Sequence, residues 1–265
     1  ECQRILQSFF VSARKRNREE QISLREDALR LDAQALPCPD DSTIRSSYFH
    51  TSEGYRIRYL DSNTVNPKYT LLCIHELGFW SFQVWSLVSR MAHHGVRVIV
   101  PDLLGHGLSD RPKKSEWHSV RAHVSSLTAL TKYMDLTPTH IVAIGNAKAI
   151  GTELCSVLKL DASSVLSIVT AKPQALTALA ESSRHQSCRS IGGLSRKQLN
   201  HLVGFPDNVV KALIAHFPDK GHAAVLDAIR KPDFSPENTF KSPTFCPVVV
   251  DEIHLDFLER ELLIK

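Results

Sequence analysis

Four short apolar segments, separated by segments of helical pattern, constrain the fold of this chain more than any other feature. The apolar segments cover residues 69–74, 96–100, 141–144 and 165–169. The helical patterns between them cover residues 81–94, 117–135 and 148–159. A continuous apolar run of this length is typical of a strand buried on both faces. Alternation of such strands with helices predicts βαβ units, and therefore an α/β fold with a mostly parallel sheet and helices on both faces.

The chain before these segments has two further patterns. Residues 48–50 and 55–59 predict two short strands joined by a hairpin at Glu53-Gly54. Residues 1–35 carry apolar side chains at near-helical spacing, and Pro37 and Pro39 end the pattern. We therefore expect an N-terminal helical extension, followed by a hairpin that opens the sheet.

The first 18 residues are basic, with five Lys or Arg residues against one Glu. Such a composition is typical of organelle-targeting segments, which favours a mitochondrial location. The alternatives are a basic amphipathic surface helix and a cytoplasmic protein. No apolar stretch in the chain reaches the roughly 18–20 residues that a membrane helix needs.

The pattern divides the chain into four parts. Residues 1–45 form the N-terminal extension and 46–171 the α/β core. Residues 172–243 are helix-rich with polar loops and predict a helical cap-like insertion. Residues 244–265 predict a return strand at 247–250 and a C-terminal helix.

Three segments, in this order, resemble the α/β-hydrolase superfamily. They are Cys73-Ile74-His75-Glu76-Leu77-Gly78 with Trp85 downstream, residues 97–110 with the sequence RVIVPDLLGHGLSD, and residues 141–151. The resemblance implies that the first is an oxyanion turn, the second a structural loop, and the third a nucleophile elbow. Residues 136–140 are similar to the dehalogenase and epoxide-hydrolase branch.

The elbow departs from the G-x-S-x-G pattern that exposes a nucleophile at the top of the sheet. It reads Gly145-Asn146-Ala147-Lys148-Ala149, so counting from the glycine puts Ala147 at the nucleophile position. A methyl group cannot form the covalent intermediate, and Lys148 is expected to point away from the pocket. A laboratory substitution at Ala147 is the alternative, and it predicts an intact acid and histidine elsewhere.

The oxyanion turn is also altered, because Glu76 stands where the family has glycine after the histidine. A carboxylate at this point would repel a developing oxyanion. The alternative is that Glu76 points to solvent or pairs with a base.

The end of the chain offers one late histidine, His254, with Asp251 and Asp256 close in sequence. Triad members normally come from separate loops, so this set is a doubtful triad. A surface helix with ordinary charges is the alternative.

Cofactor and metal sites are not predicted. The chain has no C-x-x-C pair and no phosphate-binding glycine motif. Of its 13 histidines, neither the consecutive His93 and His94 nor His216 and His222 have the i, i+4 spacing with a carboxylate that a zinc site on a helix needs. The net charge of +4 does not favour nucleic-acid binding. The aromatic residues Phe79, Trp80, Phe82 and Trp85 are expected to pack beside the first core helix.

We therefore predict a non-catalytic α/β-hydrolase-like protein that acts as a structural or interaction subunit. Its partners would be other protein subunits, bound through the N-terminal helix and the cap. Two alternatives stay open at this point. One is a serine- or aspartate-type hydrolase, such as an esterase, epoxide hydrolase or dehalogenase, with a displaced or mutated nucleophile. The other is a receptor that binds a small molecule in the vestigial pocket.

Overall fold

A computed structural model describes residues 27–36, 43–138, 140–168, His222 and Val225. Its central feature is a six-stranded sheet with the order β2-β3-β5-β4-β7-β8. The strands are β2 (Arg45–His50), β3 (Arg56–Asp61), β4 (Tyr69–Ile74), β5 (Val96–Pro101), β7 (His140–Ile144) and β8 (Val165–Ile168). The last four run parallel, whereas β2 and β3 form an antiparallel hairpin joined to β5. The predicted mostly parallel sheet is therefore confirmed.

In the described part of the chain, three α-helices cover the two faces of this sheet. They are α1 (Trp85–His93), α2 (Val120–Tyr133) and α3 (Lys148–Val157). The apolar side of α1, with Leu87 and Met91, packs against one face of the sheet. Residues of α2 and α3, such as Leu127 and Leu154, pack against the other face. The prediction of helices on both faces is therefore confirmed. Helices with one apolar side and strands that are apolar on both sides bury these surfaces by forming three layers.

Local sequence features set the ends of these helices. The Ser119 hydroxyl caps α2 by accepting a hydrogen bond from the Ala122 N–H at 3.3 Å. The α1 helix ends at His93, and Gly95 then takes a left-handed φ of +74° before β5 starts. At α3, a Cβ on Gly151 would lie 2.8 Å from the Ala143 Cβ, so this glycine lets the helix approach β7 closely.

Residues 27–36, which we call the strap, lie on the core and are not helical. Residues Ala28–Leu29 form β1, which pairs antiparallel with β6 (Arg111–Pro112). The predicted helix is wrong for this part of the chain, because its apolar side chains are buried by the core and its backbone pairs with a remote strand. Residues 1–26 lie outside the described residues.

The strap covers one side of an aromatic cluster. Leu31 and Leu36 are buried, and they pack with Trp80 and Leu108. The rings of Phe82 and Trp85 complete the cluster, with centroids 5.1 Å apart. Trp80, Phe82 and Trp85 therefore pack together as predicted, at the start of α1, and the strap contributes to the same cluster.

Among the described residues, no helix is long and apolar enough to cross a membrane.

Candidate functional site

The parallel strands β4, β5 and β7 all end at one edge of the sheet. The turns that follow them start at His75, Asp102 and Gly145. In open α/β sheets, ligands bind in the crevice outside this edge. The three turns therefore form the candidate site.

The turn after β7 is a sharp connection from strand to helix. Gly145 has a φ of +54°. Ala147 has helical angles of φ −70° and ψ −6° and occupies the N-cap position of α3. Asn146 lies between them and is partly exposed, while Lys148 and Ala149 open the helix. The left-handed residue at the apex of the turn is thus Gly145, two positions before the Ala147 counted from the sequence.

A sequence signal for this apex exists in the small residues around it. Ala143 and Ala147 stand two positions before and after Gly145, as the glycines of G-x-S-x-G stand around the serine. If Gly145 is taken as the first glycine of the pattern, the nucleophile position falls on Ala147. If Ala143 is taken as the first small residue, the nucleophile position falls on Gly145.

The turn after β4 has three consecutive backbone amides that all donate to side chains from elsewhere in the chain. The N–H of Glu76 donates to Gln83 Oε1, that of Leu77 to Asn146 Oδ1, and that of Gly78 to His106 Nε2. Each of these three hydrogen bonds is 2.9 Å long. The turn is therefore closed by internal acceptors, and the acceptor at Leu77 comes from the elbow itself.

Glu76 does not point to solvent, since only 5% of its surface is exposed. The alternative of a solvent-facing carboxylate is therefore wrong, and a carboxylate side chain is buried beside the turn.

Two buried histidines tie the turns after β4 and β5 to each other. His75 Nε2 accepts a hydrogen bond from the Leu103 N–H at 3.0 Å, and His106 Nε2 accepts one from the Gly78 N–H at 2.9 Å. Because each Nε2 is an acceptor, each imidazole is neutral and carries its proton on Nδ1. Those Nδ1 atoms face the carbonyl oxygens of Glu76 and Leu104. We call this reciprocal arrangement the histidine clamp.

Burial keeps neighbouring imidazoles neutral as well. Desolvation lowers the pKa of His75, with a smaller opposing effect from the Asp102 carboxylate. Desolvation also lowers the pKa of His123 well below its usual value, and His118 and His75 add to this effect. Within the described part of the chain, neither ring nitrogen of His123 has a hydrogen-bond partner. Protonation of either side chain therefore opposes the folded state.

The loop after β5 is held by Asp102, which is completely buried. Its carboxylate accepts from the Ser81 N–H at 2.8 Å and from the Leu108 N–H at 3.0 Å, and it lies 3.3 Å from Arg58 Nη1. Gly107, with a φ of +51°, leaves no room for a side chain, since a Cβ there would overlap the Asp102 carboxylate. The predicted structural role of this loop is confirmed by these contacts.

Asp110 closes the same loop from the outside. Arg30 of the strap binds it through both carboxylate oxygens at 2.6 and 2.7 Å, and the Arg56 N–H donates to it at 2.9 Å. The bidentate geometry fixes the strap against the loop.

Other nucleophilic side chains near this edge are engaged or buried. The Ser81 hydroxyl accepts from Arg58 at 2.7 Å, and the Ser109 hydroxyl donates to the Asp102 carbonyl at 2.6 Å. Burial raises the pKa of the Cys73 thiol, which disfavours a thiolate. Cys73 and Cys155 are free thiols.

Most of the predicted late residues lie outside the described residues, including His254, Asp251 and Asp256. From the predicted cap, His222 and Val225 are described. The His222 carbonyl accepts from Arg111 at 3.1 Å, and the Val225 side chain is buried. Within the described part of the chain, no group of three His, Cys, Asp or Glu side chains is placed to hold a metal ion.

Comparison with known proteins supports the fold. The chain is 28% identical over 82 residues to a haloalkane dehalogenase of Mycolicibacterium paratuberculosis, which is 31% of this chain and 27% of that protein. It is 32% identical over 66 residues to haloalkane dehalogenase 1 of Mycobacterium tuberculosis, covering 25% of this chain and 22% of that protein. These matches thus span about a quarter of the relatives' length. No protein-family model matches the chain.

Among solved structures, the tetrameric haloalkane dehalogenase DpaA of Paraglaciecola agarilytica superposes with a TM-score of 0.57 at 20% identity. The match covers 89% of this chain and 77% of that protein. The resemblance to the α/β-hydrolase fold is therefore confirmed.

Proposed function

We propose that this chain, which has the α/β-hydrolase fold, is a non-catalytic protein that serves as a structural or interaction subunit. The observation that carries the proposal is the residue at the apex of the elbow. The strained apex of such a turn is where this fold presents its nucleophile. Here the apex is Gly145, which has no side chain, and the position counted from the sequence is Ala147. Whether the nucleophile position is Gly145 or Ala147, the residue there has no side-chain atom that can attack a substrate.

The closed oxyanion turn supports the same proposal. In acyl transfer, a backbone N–H must be free to receive the oxygen that becomes negatively charged. The Leu77 N–H instead donates to Asn146 Oδ1. A hydrolase would have to break this hydrogen bond before each turnover.

A second candidate is a hydrolase of the dehalogenase, epoxide-hydrolase or esterase type. The observation in its favour is that the relatives named above are haloalkane dehalogenases. This candidate needs a nucleophile and a histidine from residues outside the described part of the chain, such as His254.

An activity panel separates the two candidates. The unmodified protein and the Gly145→Asp, Gly145→Ser, Ala147→Asp and Ala147→Ser variants would be assayed with esters, epoxides and haloalkanes. We expect no turnover by the unmodified protein. Turnover that is lost in His254→Ala would contradict the proposal and support the hydrolase.

The subunit role needs its own measurement. The proposal places the partner surfaces on the N-terminal residues and the cap, and the mitochondrial location remains a prediction based on residues 1–18. Native material should elute from gel filtration as part of a larger complex. A protein that elutes only as a monomer would contradict the subunit role.

A further inference from the structure

We propose that the strap is exchangeable, so that residues 27–36 of one copy bind the core of a second copy and the two chains form a strap-exchanged dimer. The strap lies in a groove, by which we mean the core surface formed by Tyr55, Trp80, Leu108, Asp110 and β6. The partner that fits this groove is a second copy of the chain. The inference goes beyond the proposed function, because it does not depend on whether the chain is catalytic.

The strap contacts this groove in the way that a separate peptide would. It adds a two-residue strand to β6. Arg30 binds both carboxylate oxygens of Asp110 at 2.6 and 2.7 Å, and Leu31 and Leu36 pack with Trp80. Strand addition combined with side-chain anchors is a recurring mode of peptide recognition. These contacts depend on the strap and the groove, and not on the residues that connect the two.

The groove is held in shape by the core. The Asp110 backbone N–H donates to the Arg56 carbonyl at 2.8 Å, and the Asp110 carboxylate accepts from the Arg56 N–H at 2.9 Å. In β6, the Pro112 carbonyl oxygen lies 2.9 Å from His118 Nε2. All four of these residues belong to the core and none to the strap. The binding surface is therefore the same whichever copy supplies the strap.

The chain that follows the strap favours exchange. Residues 37–42 read PCPDDS, with two prolines and two aspartates. Each proline ring fixes its own φ and restricts the residue before it to extended angles, which opposes a tight return of the chain to its own core. Six residues span at most about 20 Å, so the two cores of an exchanged dimer lie side by side. Short connections that strain the closed form invite the exchange of an identical element between copies.

The strap makes the same contacts in a monomer and in an exchanged dimer. Each Arg30 binds one Asp110 in either form, so this ion pair does not decide between them. Its effect is on the rate, because the strap must leave its own groove before it enters another. A change at Arg30 should therefore alter the speed of exchange and leave the dimer fraction nearly constant.

The experiment mixes two variants of the full chain, one with Ala28→Cys and the other with Pro112→Cys. These positions are partners in the β1–β6 pairing, where opposite side chains are about 5 Å apart and within reach of a disulfide. After incubation and mild oxidation, we expect a covalent heterodimer whose linked peptides join positions 28 and 112. The control mixture pairs Ala28→Cys with Val65→Cys, because Val65 is 80% exposed and lies outside the groove. It should give only the background that the six native cysteines produce.

Two results of this experiment would overturn the inference. One is a yield of heterodimer no higher than that of the control mixture. The other is a heterodimer whose linked peptides join other pairs of cysteines, because the strap of one chain would then not lie on β6 of its partner.

A second measurement keeps the inference testable if Pro112→Cys does not fold. Unmodified chains with and without ¹⁵N are mixed, and native mass spectrometry follows the formation of mixed dimers. Arg30→Ala should form them roughly tenfold faster, the equivalent of one weakened charged hydrogen bond. Arg121→Ala is the matched control, because it removes an exposed arginine of α2 and should not change the rate. The absence of mixed dimers, or a rate that Arg30→Ala leaves unchanged, would contradict strap exchange.

Discussion

The loop after β5 and the turn after β7 lie at the same edge of the sheet but are held in different ways. The loop is fixed by the completely buried Asp102 and by Asp110, each of which binds several partners. The turn after β7 is connected to the turn after β4 by a hydrogen bond that the partly exposed Asn146 side chain accepts from the Leu77 N–H. The difference teaches that buried carboxylates fix the loop after β5, whereas the turn after β7 is built from small residues and is joined to its neighbour through an amide side chain.

Among the substitutions that test this difference, Asp102→Ala is expected to have the largest effect on stability. The substitution removes an acceptor for two backbone amides and leaves the completely buried Arg58 without its carboxylate partner. We expect the free energy of unfolding to fall by about 3–5 kcal/mol, as for other broken buried ion pairs. Urea unfolding measures this loss. Glu116→Ala is the control, because its pair with Lys114 is exposed and should contribute about 1 kcal/mol or less. Equal losses in the two variants would contradict the special role of Asp102.

Acidification should weaken the histidine clamp and its surroundings. The pKa values of His75 and His123 are lowered in the folded state, so the unfolded state binds more protons as the pH falls below about 6.5. Stability that is present above this pH is then lost, by about 1.4 kcal/mol per pH unit for each histidine until the folded-state pKa is reached.

Denaturant unfolding between pH 7.5 and 5 measures this slope. The matched variant is His123→Leu, which removes a buried ring whose two nitrogens have no hydrogen-bond partner among the described residues. It should stabilise the protein at neutral pH and remove one histidine's share of the slope. A slope that does not change in this variant would argue against His123 as one of the titrating groups.

Loss of the strap contact should have a smaller effect. Arg30→Ala removes the bidentate hydrogen bonds to Asp110 at 2.6 and 2.7 Å, although Asp110 keeps the Arg56 N–H. We expect a loss of about 1–2 kcal/mol, because a partly exposed partner is removed from a charged hydrogen bond. Limited proteolysis should also cut residues 27–36 faster. Unchanged cleavage there would show that β1 pairing alone holds the strap.

The smallest effect on stability is expected for Asn146→Ala. Its one hydrogen bond joins a partly exposed side chain to the Leu77 N–H. The free energy of unfolding should therefore fall by no more than about 1.5 kcal/mol in thermal or urea unfolding. A loss as large as that of Asp102→Ala would remove the contrast between the two regions.

The sheet and helices of the core could be predicted from the sequence, because two-sided apolar strands and one-sided apolar helices have distinct periods. The strands Tyr69–Ile74, His140–Ile144 and Val165–Ile168 lie where the pattern places them. The strap could not be predicted in this way. Leu29 and Leu31 each follow an apolar residue, Ile22 or Leu24, by seven positions, which fits a helix. The pairing of Leu29 with Arg111 instead depends on a strand that is remote in sequence.

The candidate site was only partly predictable for a related reason. Sequence motifs locate the turns after β4 and β7, but they do not give the backbone angles. A glycine at the start of a turn and a glycine at its apex look the same in the sequence. The φ of +54° at Gly145 distinguishes them. The acceptor role of Asn146 likewise depends on a contact across 69 residues, which no local pattern reveals.

The pairing of the strap with the loop after β5 also sets an order of events during synthesis. Arg30 and Asp110 are 80 residues apart in the chain, so the first cannot find its partner until the second has left the ribosome. Until then Leu31 and Leu36 have no core to cover, and their apolar surface stays open to other proteins. The strap is thus made early and secured late. During this interval the exposed leucine side chains would make the new chain a substrate for chaperones.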